Sequence, residues 1–165
     1  MNRITLFLQS QTSFISTEEL AVLQRHDILV QEASHPVPDE RSVLGATNIL
    51  NLLQSTASQR TLVVCCISGG GSALCCAPKP PLTLQNLQDT NQALLQSGLD
   101  IPAINVIRKR LDLLKGGRLA AAAYPSTVTT LILSDVLGDA LDLIASGPTV
   151  PDTSTRQDAL QLLQN

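Results

Sequence analysis

Three stretches of this 165-residue chain combine residue types and spacings that could do chemistry. Ser68-Gly69-Gly70-Gly71-Ser72 follows directly on the apolar run Thr61 to Ile67. Three glycines in a row let successive backbone amides turn toward one point, and a helix starting after them adds partial positive charge, so the stretch reads as an anion nest. It is not a Walker loop, because no Gly-Lys-Ser/Thr follows, and Leu74 stands where the dinucleotide fingerprint needs its third glycine. The plain alternative is a tight strand-to-helix turn, which glycine tolerates easily.

Asn105, Arg108, Lys109 and Lys115 lie on or near one helical pattern, with Gly116-Gly117 directly after Lys115. Aimed at a ligand, these cations would neutralise phosphate or carboxylate; aimed at solvent, they would complement the helix dipole. Asp135 and Asp139 flank Gly138 after a second apolar run, Thr127 to Leu133. Such carboxylates can hold a divalent cation or accept a hydroxyl proton, although an Asx-turn would use the same residues. His35, beside Pro36, is a candidate for orienting a substrate, against the plainer reading of a structural histidine. Amide cradle, charge neutraliser and metal ligand or base are together the parts that phosphoryl transfer needs.

The elements that must position these groups follow from pattern and punctuation. Ser16-Thr17-Glu18-Glu19 is a capping box opening a short helix that ends by His26-Asp27, and Ile28 to Glu32 is a short strand. Prolines 36 and 38 impose an extended loop, after which Asp39 caps an amphipathic helix from Glu40 to about Thr56. Thr61 to Ile67 and Thr127 to Leu133 are read as buried strands, the first covered on both faces. Between them come a helix capped by Thr83 and reaching Gln96, Gly98 as its left-handed stop, a helix from Ala103 to Leu114, and a helical segment from Arg118 to Ala123. A long polar segment runs from Ser134 to Asp152, and Thr155 opens a last helical pattern cut off at Asn165. Strands alternating with helices predict an α/β fold, a Rossmann-like three-layer αβα arrangement with a mostly parallel sheet that is incomplete in this chain. Ligands in such folds sit beyond the carboxyl ends of strands, where both glycine and aspartate loops fall.

Composition narrows the partners. At 44% hydrophobic and 15% charged the chain can bury a core, and a net charge of −3 leaves no basic footprint for nucleic acid or anionic membrane. No apolar run reaches the roughly 18 to 20 residues that span a bilayer, and that of MNRITLFLQSQ is too short for a secretory signal, so the cytoplasm is the expected compartment. The four cysteines, Cys65-Cys66 and Cys75-Cys76, lack metal-ligand spacing and read as inert core thiols.

Taken in order, His35-Pro-Val-Pro-Asp-Glu40, Ser68-Gly-Gly-Gly-Ser-Ala-Leu74, Asn105-Val-Ile-Arg-Lys109, Leu114-Lys-Gly-Gly-Arg-Leu-Ala120 and Leu131-Ile-Leu-Ser-Asp-Val-Leu-Gly-Asp139 through Ile144-Ala-Ser-Gly-Pro-Thr149 resemble the two-domain glycerate 2-kinases. The resemblance spans roughly Ile28 to Leu163. It implies an ATP- and Mg-dependent enzyme that phosphorylates the 2-hydroxyl of D-glycerate, in a cleft between a Rossmann-like domain and a smaller C-terminal domain. On that likeness residues 1–165 are part of the first domain, and the second is absent. Ser68, Gly69, Gly70, Gly71 and Ser72 would cradle phosphate, and Lys115 would offset charge on the transferred group. Asp135 would hold Mg or the substrate hydroxyl, Asp139 would be a second metal ligand, and His35, Asn105 and Arg108 would meet glycerate.

The family usually has Gly where Ser34 stands, His where Arg110 stands and Ser where Asp112 stands, and an upstream Gly-Lys-Ala motif without counterpart in Met1 to Gln24. Losing one wall of a cleft removes positioning worth up to about 7 to 11 kcal/mol of barrier, so little or no activity is expected from the chain alone. A separate chain supplying the second domain is the partner this implies. Two other functions stay open: a non-catalytic or decayed fragment with an exposed sheet edge or face, and a hydroxypyruvate reductase, a label relatives have carried. The reductase lacks its dinucleotide fingerprint here, and Asp89, the acid at the right distance, falls inside a helical pattern.

Overall fold

A computed structural model describes residues 6–26 and 28–164. The chain opens with a parallel βαβ unit: β1 (Leu6–Gln11), α1 (Thr17–Arg25) and β2 (Ile28–Ala33), with Leu6 opposite Ile28 and Gln11 opposite Ala33. Ser16 caps α1 through the expected reciprocal bonds with Glu19; Asp27, where the helix was expected to have ended, lies outside the described residues. Helix α2 (Glu40–Thr56) starts at Asp39, whose carboxylate accepts from the amides of Arg41 and Ser42. Gly45 of α2 leaves room for the side chain of Gln9, whose Nε2 donates to the carbonyl of Leu74 at 2.7 Å and ties this first unit to a second.

The second unit runs from β3 (Leu62–Ser68) through α3 (Gly71–Leu74), α4 (Leu84–Gln96), α5 (Ile101–Leu111) and α6 (Arg118–Ala122) to β4 (Thr127–Leu133), with β3 and β4 adjacent and parallel. Thr83 caps α4, and Asp100 caps α5 with Pro102 in its first turn, where a missing N–H costs nothing. After β4 come a 3-10 turn (Ile144–Ser146) and α7 (Arg156–Leu162), capped by Thr155. Leu94, Ile104, Ile107 and Ala159 bury one core between α4, α5 and α7, and Ala46, Ala77 and Leu114 form a second under α2. The α/β class with parallel strands is as read from the sequence, in two two-stranded sheets among the described residues. No described helix is long and apolar enough to cross a membrane.

Three expectations need correction. The β3 and β4 strands are not covered on both faces: exposure alternates along each, and Leu62, Val64, Leu131 and Leu133 are 62%, 54%, 60% and 75% exposed. The other face turns inward, where the Thr130 hydroxyl donates to that of Thr149 at 3.0 Å, while no described element lies over the outer one. Cys66 accordingly faces out instead of packing as a core thiol, whereas Cys76 is buried and Cys65 and Cys75 are half-buried. Helix α5 ends at Leu111 instead of Leu114, because Asp112 leaves the helix to make a bridge with Pro78.

Candidate functional site

Three loops at the carboxyl ends of strands meet on the glycine turn. Gly70 is left-handed at φ +80°, a conformation only glycine adopts cheaply, and its turn starts α3, where no side chain caps the helix. The amides of Gly71 and Ser72, in the first turn of α3, have no carbonyl one turn earlier to bind. A Cβ placed on Gly69 would lie 2.0 Å from Oδ2 of Asp135, and one on Gly70 would lie 3.2 Å from Nε2 of His35. The loop after β2 thus lays an imidazole, and the loop after β4 a carboxylate, on consecutive glycines after β3.

A fourth segment closes the turn from below. A Cβ on Gly71 would lie 3.0 Å from Cβ of Ala145. Ala145, Ser146 and Gly147 are left-handed in succession, at φ +50°, +61° and +58°. Non-glycine residues hold such a backbone only where their surroundings impose it. Here the amides of Gly116 and Gly117 donate to the carbonyls of Ser146 and Gly147 at 3.0 and 2.8 Å, and Leu119 donates to that of Pro148 at 3.1 Å. The Lys-Gly-Gly motif therefore works through its backbone, zipping α6 to the left-handed turn.

The side chains expected to meet substrate divide into two groups. His35 and Asp135 reach the glycine turn, and Asp139 follows in a turn in which its amide donates to the carbonyl of Val136 at 3.0 Å. The other group has partners of its own. Lys115 is buried and its Nζ donates to Oδ2 of Asp112 at 2.5 Å; Asp112 also accepts from the amides of Ala77 and Leu114. Arg108 donates to Asn91 Oδ1 at 2.9 Å. Asn105, also buried, accepts from the Ser146 hydroxyl at 3.1 Å and donates to the carbonyl of Leu143 at 3.3 Å. Ser68 lies exposed at the end of β3, and the Ser72 and Ser146 hydroxyls are 3.0 Å apart.

Two residues that bind the site together were not singled out from the sequence. Asp142 receives Lys109 at 3.0 Å, and Asp152 pairs with Arg110 and Lys109, so α5 is cross-linked to both ends of the segment carrying the left-handed turn. A basic run in the last turn of α5 facing an acid-containing loop was the available signal.

The described residues include no group of three metal-ligating side chains. Of the two aspartates after β4, Asp135 is the one whose carboxylate lies on the glycine turn.

Two adjacent parallel strands with helices between them in the chain, and a glycine turn at the carboxyl end of the first, define an α/β protein. The family described as "Domain of unknown function (DUF4147)" matches residues 3–165, and the chain belongs to that family. It is 46% identical over 138 residues to D-glycerate 2-kinase of Thermotoga maritima and 47% identical over 137 residues to glycerate 2-kinase of Pyrococcus horikoshii. These matches cover 84% and 83% of this chain but 33% and 31% of those proteins. A crystal structure of glycerate kinase from Thermotoga maritima superposes with a TM-score of 0.85 at 36% identity, over 99% of this chain and 44% of that one. The likeness to glycerate 2-kinases read from the motifs is borne out, and the chain spans about a third of the length of these curated relatives.

Proposed function

We propose that this chain carries the phosphate-holding part of a glycerate 2-kinase site, in which the terminal phosphoryl group of ATP passes to the 2-hydroxyl of D-glycerate. The observation that carries this reading is the meeting of Asp135 and His35 on Gly69 and Gly70, in a chain 46% identical to a protein named D-glycerate 2-kinase.

The free amides of the glycine turn hold phosphate oxygens in place, which needs no reorganisation when charge shifts during transfer. Asp135 accepts the hydroxyl proton of glycerate as its oxygen bonds to phosphorus, and with Asp139 it also offers oxygen ligands to Mg. His35 orients the glycerate end. ATP supplies the phosphoryl group and ADP as leaving group, and Mg neutralises charge on the phosphates. Lys115, Asn105 and Arg108 serve the reaction through the shape of the site, since each already has a protein partner.

We propose that residues 1–165, which span about a third of the length of these relatives, turn over weakly or not at all by themselves, and that a polypeptide carrying the relatives' second domain raises turnover. The test is 2-phosphoglycerate formation by mass spectrometry from Mg-ATP and D-glycerate, with and without such a polypeptide. Product that appears on mixing and falls at least 100-fold in Asp135→Asn supports the reading. Unchanged product in Asp135→Asn overturns the role of Asp135, and NADH oxidation by hydroxypyruvate instead of phosphorylation overturns the reaction class.

A further inference from the structure

The Ser72, Ser146 and Asn105 side chains form a hydrogen-bonded chain whose direction can be worked out. Asn105 and Ser146 are both buried, 2% and 1% exposed. The Leu143 carbonyl can only accept, so the Asn105 amide turns its NH2 to it and its oxygen to Ser146. That buried oxygen needs a donor, and the Ser146 hydroxyl, 3.1 Å away, is the one that reaches it. A hydroxyl has one proton. With that proton given to Asn105, Ser146 can only accept from Ser72, so the Ser72 hydroxyl donates inward across 3.0 Å.

We infer that Ser146 is a positioning residue: by taking the Ser72 proton it pins the start of α3, and it leaves an anion at the turn to be met by backbone amides and not by the Ser72 hydroxyl. The left-handed backbone at Ser146 fits this role. Its φ of +61° sets the hydroxyl between α3 and α5, and Ala145 beside it abuts Gly71. The bonds from the amides of Ala73 and Leu74 to the Gly70 carbonyl, and from that of Cys75 to Gly71, close the turn and report its order. The inference rests on the function proposed above only for what the turn binds.

The experiment measures hydrogen exchange at Ala73, Leu74 and Cys75 in the free chain, with Leu94 of α4 as an internal reference. Ser72→Ala and Ser146→Ala should each speed exchange about tenfold at the turn and leave Leu94 unchanged, the scale expected for one lost hydrogen bond with buried partners. Because both remove the same bond, the double variant should be no faster than the faster single. Ser146→Gly suits the left-handed backbone but lacks the hydroxyl, and should match Ser146→Ala; Ser72→Thr keeps the hydroxyl and should match the unaltered chain. Wild-type exchange in Ser146→Gly, or effects that multiply in the double variant, would overturn the assignment.

Inorganic phosphate titrated against the same chains gives the second readout. Equal weakening in Ser72→Ala and Ser146→Ala supports a shared positioning role. Weakening in Ser72→Ala alone, which would put its hydroxyl on the anion, overturns it. Absence of phosphate binding by the unaltered chain counts against the proposed function, and the exchange rates then decide the positioning role by themselves.

Discussion

Lys115 and Asp112 face each other in a buried ion pair three residues apart, and Asp112 also holds the amides of Ala77 and Leu114. Its geometry makes the pair a fastening between the segments after α3 and α5. Removing one partner of such a pair strands the other charge in a dry interior, at a cost of about 3 to 5 kcal/mol. Urea unfolding of Lys115→Ala should show a loss of that size, with function lost through the fold. A Lys115→Ala chain within about 0.5 kcal/mol of the original that no longer binds ATP would return Lys115 to the reacting centre.

The cysteines set a pH limit. Burial pushes the Cys75 thiol up to about 12 and that of Cys76 up to about 11 from an ordinary 9.0, outweighing the pull of Lys115. The folded chain therefore keeps these protons at pH values where the unfolded chain has released them. Their contribution to stability is complete below about pH 9 and is lost as pH rises from 9 through 11 and 12. Denaturation midpoints should fall across that range, and less so in Cys75→Ala. In the folded chain at pH 8, iodoacetamide should label the exposed Cys66 first; equal labelling of all four thiols would contradict this burial.

The bare face of the β3–β4 sheet makes a third expectation. Leu62, Val64, Leu131 and Leu133 place four large apolar side chains on one surface, an arrangement that favours association. Leu131→Lys with Leu133→Lys should reduce self-association in sedimentation experiments while leaving the unfolding midpoint almost unchanged. A chain that unfolds on these substitutions would mean that the face is covered.

How much of this was legible in the sequence depended on whether the signal was local. Helices α2 and α4 start and stop where their caps and periodicity place them, because Asp39 and Thr83 satisfy amides within three residues. The β3 and β4 strands were equally plain, but an all-apolar run such as LVVCCI cannot say whether both of its faces are covered. β1 was missed, its apolar residues being too few for a pattern. The glycine turn after β3 and the carboxylate after β4 were legible from residue type and position. The partners of Lys115 and Asn105 were not, because spacing locates a side chain along the chain while its partner is chosen in three dimensions: Asp112 in a turn that leaves the helix, and Ser146 41 residues away. The left-handed turn at Ala145 and Ser146 was hidden for the same reason, since its bonds come from Gly116 and Gly117.

The central claim is that phosphate is held where Asp135 meets the glycine turn, and ATP titration followed at backbone amides by NMR tests it most directly. The account predicts that Mg-ATP shifts the resonances of Gly69 to Ser72 ahead of the rest of the chain. It also predicts that Gly69→Ala, whose Cβ would meet the Asp135 carboxylate, weakens binding at least tenfold. Saturating Mg-ATP that leaves these amides unmoved, or binding unaffected by Gly69→Ala, would contradict it.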